Sequence, residues 1–387
     1  MLTKLPKSAT ARLLMQSALS AAAADNLIES RYWRSVLNDL ILKSIKTVRA
    51  EKHLIEALDA LWDSESEDEA CEVLMTCVED LVQGEDGKLW FAVPVLLCNE
   101  HESKTIPWEI SKAVLADISQ CLSNFAFCPE INIKVCDLVV PAETLPMGYA
   151  EAYGYAQSLW HSKKIAARPL SAKFHTPEAP YFSDIRWILG VAEMPAVPQA
   201  LFVWNQLGHS AEQAIAYKNA FVEAFQTAIK PLFTGLRYDC LLPNAYFAAV
   251  RNAELAMRPF SLLCGLQATC TTLQKPPASL HAVMGGVYRD QEIVEYRVSL
   301  MNPHSNVVLF GVTWPLLSDE DDPYEAQTEI VNTLATAGLL NITVLDERLP
   351  PEYCDDCGVP YYPDTEADMQ HPSSAEHEAG IKKRVMH

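Results

Sequence analysis

The sequence predicts an α+β protein: an N-terminal helical region, then repeated β-α-β units with an antiparallel meander, then a short C-terminal CxxC knuckle and an acidic tail. Three observations predict this class. Apolar residues recur at spacings of three and four through residues 9–62, which is typical of amphipathic helices. Short apolar runs then alternate with amphipathic helical segments. Finally, consecutive apolar runs between residues 280 and 314 are joined by short polar connections.

The N-terminal region, residues 1–84, is expected to be helical throughout. The apolar spacing covers residues 9–62, and a further helix is predicted over Ala70–Leu81 after an acidic loop at Asp63–Glu69. The Gly84–Gly87 segment has two glycines around two acidic residues, and this composition predicts a turn that ends the region.

The body, residues 85–350, is interpreted as three loosely repeated units at about 88–163, 185–262 and 280–350. Each unit is predicted to open with an apolar strand, and these strands are Trp90–Leu97, Trp187–Met194 and Val307–Trp314. Each continues into an amphipathic helix, and these helices are Glu109–Asn124, Ala211–Ala228 and Tyr324–Ala337. Helices packed on one side of a mixed sheet are the expected layer arrangement.

The second strand of each unit is expected to end in the pattern Asp-x-x-x-Pro. The three occurrences begin at Asp137, Asp239 and Asp346. In the first two units a further helix is predicted, over Met147–His161 and Ala245–Met257. A strand followed by a helix and a returning strand resembles a β-α-β element, which needs a partner layer to bury its faces.

Charge is distributed unevenly along the chain, whose formal net charge is −20. Residues 1–50 hold eight Lys or Arg against three Asp or Glu, whereas residues 56–86 hold twelve acidic residues and no basic one. Residues 318–378 hold sixteen acidic residues and a single Arg. Because no basic stripe is visible, the sequence predicts no nucleic-acid partner. The longest apolar run, Leu89–Cys98, is too short for a transmembrane helix, so no membrane partner is expected.

Eleven cysteines, an odd number, are scattered through mostly apolar segments. This distribution is typical of free buried thiols rather than of a disulfide framework. We therefore expect a reducing compartment and a cytoplasmic protein.

The most specific local signal is a Cys-x-x-Cys-Gly motif at Cys354–Gly358, the start of the predicted C-terminal region, residues 351–387. This spacing resembles a zinc knuckle, in which glycine allows a turn that directs both sulfurs to one metal. Two candidate ligands follow: thirteen residues lie between Cys357 and His371, and five lie between His371 and His377. The sequence thus predicts a structural zinc site at Cys354, Cys357, His371 and His377, although the polar, acidic composition beyond Tyr362 favours a flexible tail.

Two other interpretations of the cysteine pair stay open. The two residues could be surface thiols in a turn with no ligand. They could also form a redox dithiol, but Asp355 and Asp356 between them would raise the thiol pKa and oppose that chemistry.

A candidate ligand site combines acidic and basic residues of the body. Carboxylates near the carboxyl ends of strands can bind a ligand or transfer a proton, and Asp137 and Asp239 are candidates. Arginines can clamp an anion, and Arg251, Arg258 and Arg297 are candidates. The alternative is that the carboxylates accept hydrogen bonds in turns before helices and that the arginines form structural ion pairs.

Several strings, taken together in their order, resemble one family. They are Arg31–Trp33, Leu242–Arg251, Arg258–Leu262, Val294–Arg297, Gly311–Leu316 and Pro350–Gly358. The family is an uncharacterised betaproteobacterial one, catalogued as domain of unknown function 2863. The resemblance spans nearly the whole chain, and it implies a cytoplasmic bacterial protein but no activity.

The sequence contains no H-E-x-x-H, G-x-S-x-G, phosphate-binding loop or G-x-G-x-x-G motif. Its function is therefore predicted to be that of a non-catalytic binding or regulatory protein whose partner is another protein or a second copy. An enzyme that acts on a small anionic substrate through the Asp and Arg residues is the alternative. A thiol redox protein that uses the cysteine pair is a weaker one.

Overall fold

The computed structural model describes residues 5–63, 68–85, 87–98, 109–146, 148–161, 183–194, 200–303, 305–317 and 321–373. Its α-helices are α1 (Ala9–Ala22), α2 (Leu27–Ser44), α3 (Val48–Trp62), α4 (Asp68–Gln83), α5 (Lys112–Cys121), α6 (Tyr149–His161), α7 (Ala211–Ile229), α8 (Tyr246–Leu273) and α9 (Pro323–Thr336). Its strands are β1 (Gly84–Glu85), β2 (Lys88–Cys98), β3 (Asn132–Pro141), β4 (Ser183–Glu193), β5 (Arg237–Cys240), β6 (Asn244–Ala245), β7 (His281–Arg289), β8 (Glu292–Met301), β9 (Val308–Pro315), β10 (Ile342–Val344), β11 (Tyr362–Pro363) and β12 (Met369–Gln370). These elements confirm the predicted α+β class.

Helices α1 to α4 form the predicted N-terminal helical region, and local capping sets where three of them begin. The side chains of Ser8, Asn26 and Thr47 accept hydrogen bonds from backbone N–H groups in the first turns of α1, α2 and α3. The apolar faces of these helices pack together and against one face of the first sheet.

The first sheet interleaves the first two predicted units. Its main order is β5–β2–β4–β3, and all of these neighbours are antiparallel. Strand β4 of the second unit therefore lies between β2 and β3 of the first, and β2 lies between β4 and β5. Neither unit is a self-contained pair of adjacent parallel strands. A helical connection can join two parallel strands that have another strand between them, as α5 joins β2 and β3 on either side of β4. This strand order is that of the split β-α-β (ferredoxin-like) arrangement.

Both faces of the first sheet are covered by helices, which differs from the expected single covered face. Trp90 and Ala92 of β2 pack towards the N-terminal helices. Phe91 and Val93 point the other way and pack with residues of α5 and α7. Side chains alternate between the faces of a strand, so a strand buried on both faces has an uninterrupted apolar sequence.

Helix α8 connects the two sheets and extends beyond its predicted end. The predicted helix covered only Ala245–Met257, and Pro259 just beyond it lacks a backbone N–H and disfavours a helix interior. In the structure the helix continues through Pro259 to Leu273. It packs against β2 and β4 of the first sheet and against β9 of the second. Burial over this length offsets the local cost of about 3 kcal/mol for an interior proline.

The second sheet contains the predicted antiparallel meander. Strands β7, β8 and β9 pair in sequence order, and β10 pairs with β7 in parallel. Tyr296, Val298 and Leu300 of β8 face a core that contains residues of α8 and α9. Arg297 and Ser299 alternate with them and therefore point to the opposite face, which we call the outer face of the second sheet.

The segment that follows β10 covers part of the outer face. The polar, acidic composition beyond Tyr362 favoured a flexible tail here, but Tyr362 is buried and packs with Val283, Met301 and Val308. Its ring lies against Gly311, where a Cβ atom would collide with it. Within the described residues, no helix is both long and apolar enough to cross a membrane.

Candidate metal centre

The Cys-x-x-Cys-Gly motif forms a tight hairpin turn. The N–H of Cys354 donates to the carbonyl of Val359 at 2.8 Å, and the N–H of Gly358 donates to the carbonyl of Cys354 at 2.8 Å. Tyr353 and Pro360 form an antiparallel bridge at the base. Gly358 has a φ of +71°, a backbone conformation that residues other than glycine rarely adopt. The turn from Tyr353 to Pro360 is called the knuckle below.

A second short hairpin brings His371 to the knuckle. Strand β11 pairs with β12, and His371 follows β12 directly. Asp364 organises the connection between the two strands. Its buried carboxylate accepts hydrogen bonds from the N–H groups of Glu366 and Asp368 and from Nε2 of Gln370.

Three of the four predicted ligands lie together. The ligand atoms of Cys354, Cys357 and His371 are all within 4.8 Å of one another, and Sγ of Cys357 is 3.2 Å from Nε2 of His371. In a tetrahedral zinc site, two ligand atoms lie roughly 3.5–3.8 Å apart, given Zn–S of about 2.3 Å and Zn–N of about 2.0–2.1 Å. Small side-chain adjustments would therefore place the three atoms around one zinc ion. His377, the fourth predicted ligand, lies outside the described residues.

The hydrogen bond on the far side of the His371 ring fixes its tautomer. Nδ1 lies 2.9 Å from the carbonyl oxygen of Pro372. Because a carbonyl oxygen only accepts, Nδ1 carries the proton and Nε2 presents its lone pair towards Cys357. A ring N–H bound to a backbone carbonyl is the usual support of a metal-ligating histidine.

The environment of Cys354 favours its thiolate. Backbone N–H groups of Asp356 and Cys357 hydrogen bond to the sulfur, the side chains of Cys357 and Tyr361 add further hydrogen bonds, and together they lower the pKa of the Cys354 thiol. The expectation that Asp355 and Asp356 would raise this pKa is wrong for Cys354. The reason is that the knuckle directs backbone N–H groups at the sulfur. A deprotonated sulfur is the form that binds metal.

Arg297, predicted as an anion clamp, lies beneath the knuckle. Its side chain is 0% exposed. Nη1 donates to the carbonyls of Glu352 and Tyr361 at 2.7 Å each, and Nε pairs with Glu295 at 2.9 Å. The guanidinium carbon is 5.0 Å from the centre of the Tyr353 ring. This arginine therefore supports the two ends of the knuckle.

The other two predicted arginines form ion pairs elsewhere. Arg251 makes two hydrogen bonds to Glu79 of α4, at 2.5 and 2.9 Å. Buried Arg258 pairs with Asp321 at 2.5 Å. These contacts agree with the alternative interpretation of structural ion pairs.

The two predicted carboxylates occupy different strands. Asp137 lies within β3, where the register with β4 shifts between Val135 and Val139, so it is inside the strand rather than at its end. Asp239 lies in β5 and accepts hydrogen bonds from Nε2 of Gln226 and from the N–H of Cys240. The geometry of Asp239 suits a role in joining α7 to the sheet.

Two residues of this centre were not predicted in their observed roles: the Tyr361 side chain hydrogen bonds to Cys354, and Arg297 holds the knuckle rather than an anion. The Tyr361 ring also lies edge-on to the His371 ring, with 6.3 Å between centres. Proximity of Tyr361 to the cysteine pair was a signal available in the sequence. No sequence signal linked Arg297 to the knuckle, because its contacts with Glu352 and Tyr361 depend on how the C-terminal segment folds back over β8.

A search of curated proteins and a search of solved structures each found no significant match. One family model, described as "Protein of unknown function (DUF2863)", matches residues 3–384, nearly the full length. The match includes the knuckle, both sheets and the N-terminal helices. The chain therefore belongs to the DUF2863 family, in agreement with the resemblance carried by its sequence strings.

Proposed function

We propose that this chain is a non-catalytic cytoplasmic binding protein whose C-terminal segment is fastened by a structural zinc ion. The observation that carries the proposal is the group formed by Cys354, Cys357 and His371, whose ligand atoms lie within 4.8 Å of one another. Two thiolates and an imidazole favour zinc over magnesium or calcium, which prefer oxygen ligands.

A structural role for the metal is supported by what the knuckle adjoins. Its base is held by Arg297, and the neighbouring β11 packs on the outer face of the second sheet. Cys357 and His371 are exposed rather than set in a concave site. A groove of about 830 Å³ lies between α8 and α9, and none of the three ligands lines it. Catalytic sites are usually concave, so this arrangement favours a metal that fastens the segment.

The metal content of the untagged protein, purified without chelator, tests the proposal. We expect about one zinc per chain, lost in the Cys354→Ser/Cys357→Ser variant together with thermal stability. Cys270→Ser is the matched control, because Cys270 is also partly exposed but lies on α8. About half a zinc per chain would indicate a site shared between two copies. A zinc-free protein would contradict the proposal and would favour the alternative of thiol redox chemistry at the same cysteines.

The binding role rests on an uncovered surface at the start of α2. Leu27, Ile28 and Tyr32 are 74%, 83% and 61% exposed, and Arg31 lies among them. Exposed apolar residues beside basic ones, in a region of net positive charge, fit an acidic and partly apolar protein surface. The proposed partner is therefore a protein with such a surface.

A photo-cross-linking residue at Leu27 tests this surface, and Leu340 is the control because both side chains are 74% exposed. We expect a cross-link from position 27 to an acidic protein, lost when Arg31→Glu is added. A cross-link to a second copy of this chain would instead identify self-association through its own acidic segments. Equal cross-linking from positions 27 and 340 would contradict a specific surface on α2.

A further inference from the structure

Arg297 occupies the middle of the second sheet. On β8 it pairs with Gly285 of β7 on one side and with Thr313 of β9 on the other. Its side chain points to the outer face and has 0% exposure. A buried guanidinium is costly unless hydrogen bonds and an opposite charge compensate it. Its partners therefore indicate what it does.

Most of those partners belong to the knuckle or are the residues directly before and after it. Nη1 bridges the carbonyls of Glu352 and Tyr361, each at 2.7 Å. These residues precede and follow the knuckle and are themselves joined, because the N–H of Tyr361 donates to the carbonyl of Glu352 at 3.1 Å. The Tyr353 ring packs on the guanidinium at 5.0 Å. One arginine thus holds both strands of the hairpin whose tip carries Cys354 and Cys357.

We infer that Arg297 couples metal binding at the knuckle to the stability of the second sheet. This inference rests on the proposed zinc site. Arg297 contacts no ligand atom, so it acts as a positioning residue: it fixes the hairpin ends and hence the separation of the two sulfurs. Residues that orient metal ligands commonly contribute 10- to 100-fold to metal affinity.

The coupling acts in both directions. If Arg297 makes the knuckle more favourable for zinc, zinc must equally stabilise the arrangement in which Arg297 is engaged. That arrangement includes the central strand β8 and its neighbours. Bound zinc should therefore slow the opening of backbone hydrogen bonds in the knuckle itself. It should also slow their opening along β8, although β8 contributes no metal ligand.

The chemistry of the contact requires arginine. The planar guanidinium donates to Glu295 through Nε while Nη1 serves two carbonyls. A lysine ammonium keeps the charge, but its three donors radiate from one nitrogen on a flexible stem, so it cannot reproduce this planar fork. Arg297→Lys therefore separates the positioning role from the charge.

The experiment compares the wild-type protein, Arg297→Lys and Arg258→Lys. Arg258 is the matched control, because it is also buried and paired with a carboxylate but its partner is Asp321. The measurements are the zinc dissociation constant by competition with a chromophoric chelator, the shift of the melting temperature on zinc addition, and hydrogen exchange in β8. We expect Arg297→Lys to weaken zinc binding about 10- to 100-fold and to abolish zinc-dependent protection in β8. Arg258→Lys should lower the melting temperature and leave the zinc constant unchanged.

The outcomes separate this inference from the zinc proposal. If the wild-type protein binds no zinc, the zinc proposal fails, and this inference fails with it. If the wild-type protein binds zinc and Arg297→Lys has the same constant, the coupling alone is overturned. If Arg297→Lys does not fold, Glu295→Gln replaces it: the amide oxygen still accepts from Nε, but the negative charge opposite the guanidinium is lost, so zinc binding should weaken to a smaller degree. An unchanged constant in that variant would likewise overturn the coupling.

Discussion

The Sγ atom of Cys357 lies 3.2 Å from Nε2 of His371, although fourteen positions separate the two residues in the chain. The approach depends on two hairpins, the knuckle and the β11–β12 pair, and both are anchored to the outer face of the second sheet. A third ligand atom, Sγ of Cys354, lies within 4.8 Å of both atoms. The same segment of chain thus creates a candidate metal centre and covers a sheet.

Position 358 is expected to require glycine because of its backbone conformation and not because of crowding by neighbouring atoms. Its φ is +71°, and a Cβ atom there would meet nothing within 4 Å. Gly358→Ala should therefore cost about 1–2 kcal/mol of knuckle stability, the usual penalty for a side chain in this region. The measurement is the affinity for Co²⁺, followed by its visible absorption bands. We expect weaker binding by about tenfold.

Gly154→Ala is the control for that change. Gly154 lies exposed within α6 and also has open space around its Cβ position, but its φ is helical. Alanine favours a helix over glycine by about 0.5–1 kcal/mol, so this variant should melt slightly higher and bind Co²⁺ as the wild type does. Equal behaviour of the two variants would show that the Gly358 conformation is unimportant.

Gly311→Ala should displace the C-terminal segment from the sheet. A Cβ atom at position 311 collides with the Tyr362 ring, which is buried against β9. Such overpacking commonly costs about 1–3 kcal/mol. Urea unfolding measures the loss. In the double variant Gly311→Ala/Tyr362→Leu the smaller side chain should relieve part of the collision, so a double variant with purely additive losses would argue against this contact.

The ion pair between Glu79 and Arg251 should join α4 to α8. The two hydrogen bonds measure 2.5 and 2.9 Å, but the Arg251 side chain is 54% exposed, so solvent weakens the pair. We expect a coupling energy of about 1 kcal/mol from a double-mutant cycle with Glu79→Gln and Arg251→Gln. High salt should reduce it. A coupling near zero would mean that the helices are held by apolar packing alone.

His281 should make the protein less stable in mild acid. Burial lowers the pKa of His281, whose Nε2 lies 2.8 Å from the hydroxyl of Thr343. The folded state therefore resists protonation, and the unfolded chain takes up the proton first as the pH falls below the ordinary value of about 6.5. Stability due to this residue is present above that pH and is lost below it.

Chemical denaturation at pH 7.5 and pH 5.5 measures this effect. Comparison with His281→Gln isolates the histidine, because other groups titrate equally in both proteins. We expect the free energy of unfolding to fall more for the wild type than for the variant over this interval. If the free energy of unfolding falls equally in the two proteins, the acid sensitivity comes from other residues.

The sequence by itself determined the features that depend on neighbours along the chain. Apolar spacing identified the N-terminal helices, and short polar connections identified the β7–β9 meander. The knuckle was also predictable, because the turn is made by Cys354 to Gly358 and the glycine supplies its left-handed conformation. Each of these signals is local, so it is visible without the fold.

The tertiary structure alone decided which distant residues meet. It interleaved the strands of two units, extended α8 beyond Pro259, and placed Arg297 under the knuckle rather than in an anion site. It also brought His371 to the cysteines from a segment whose polar composition had favoured a tail. The physical reason is that strand order, burial and ligand convergence depend on packing between elements, and packing energy is not encoded in the spacing of any single segment.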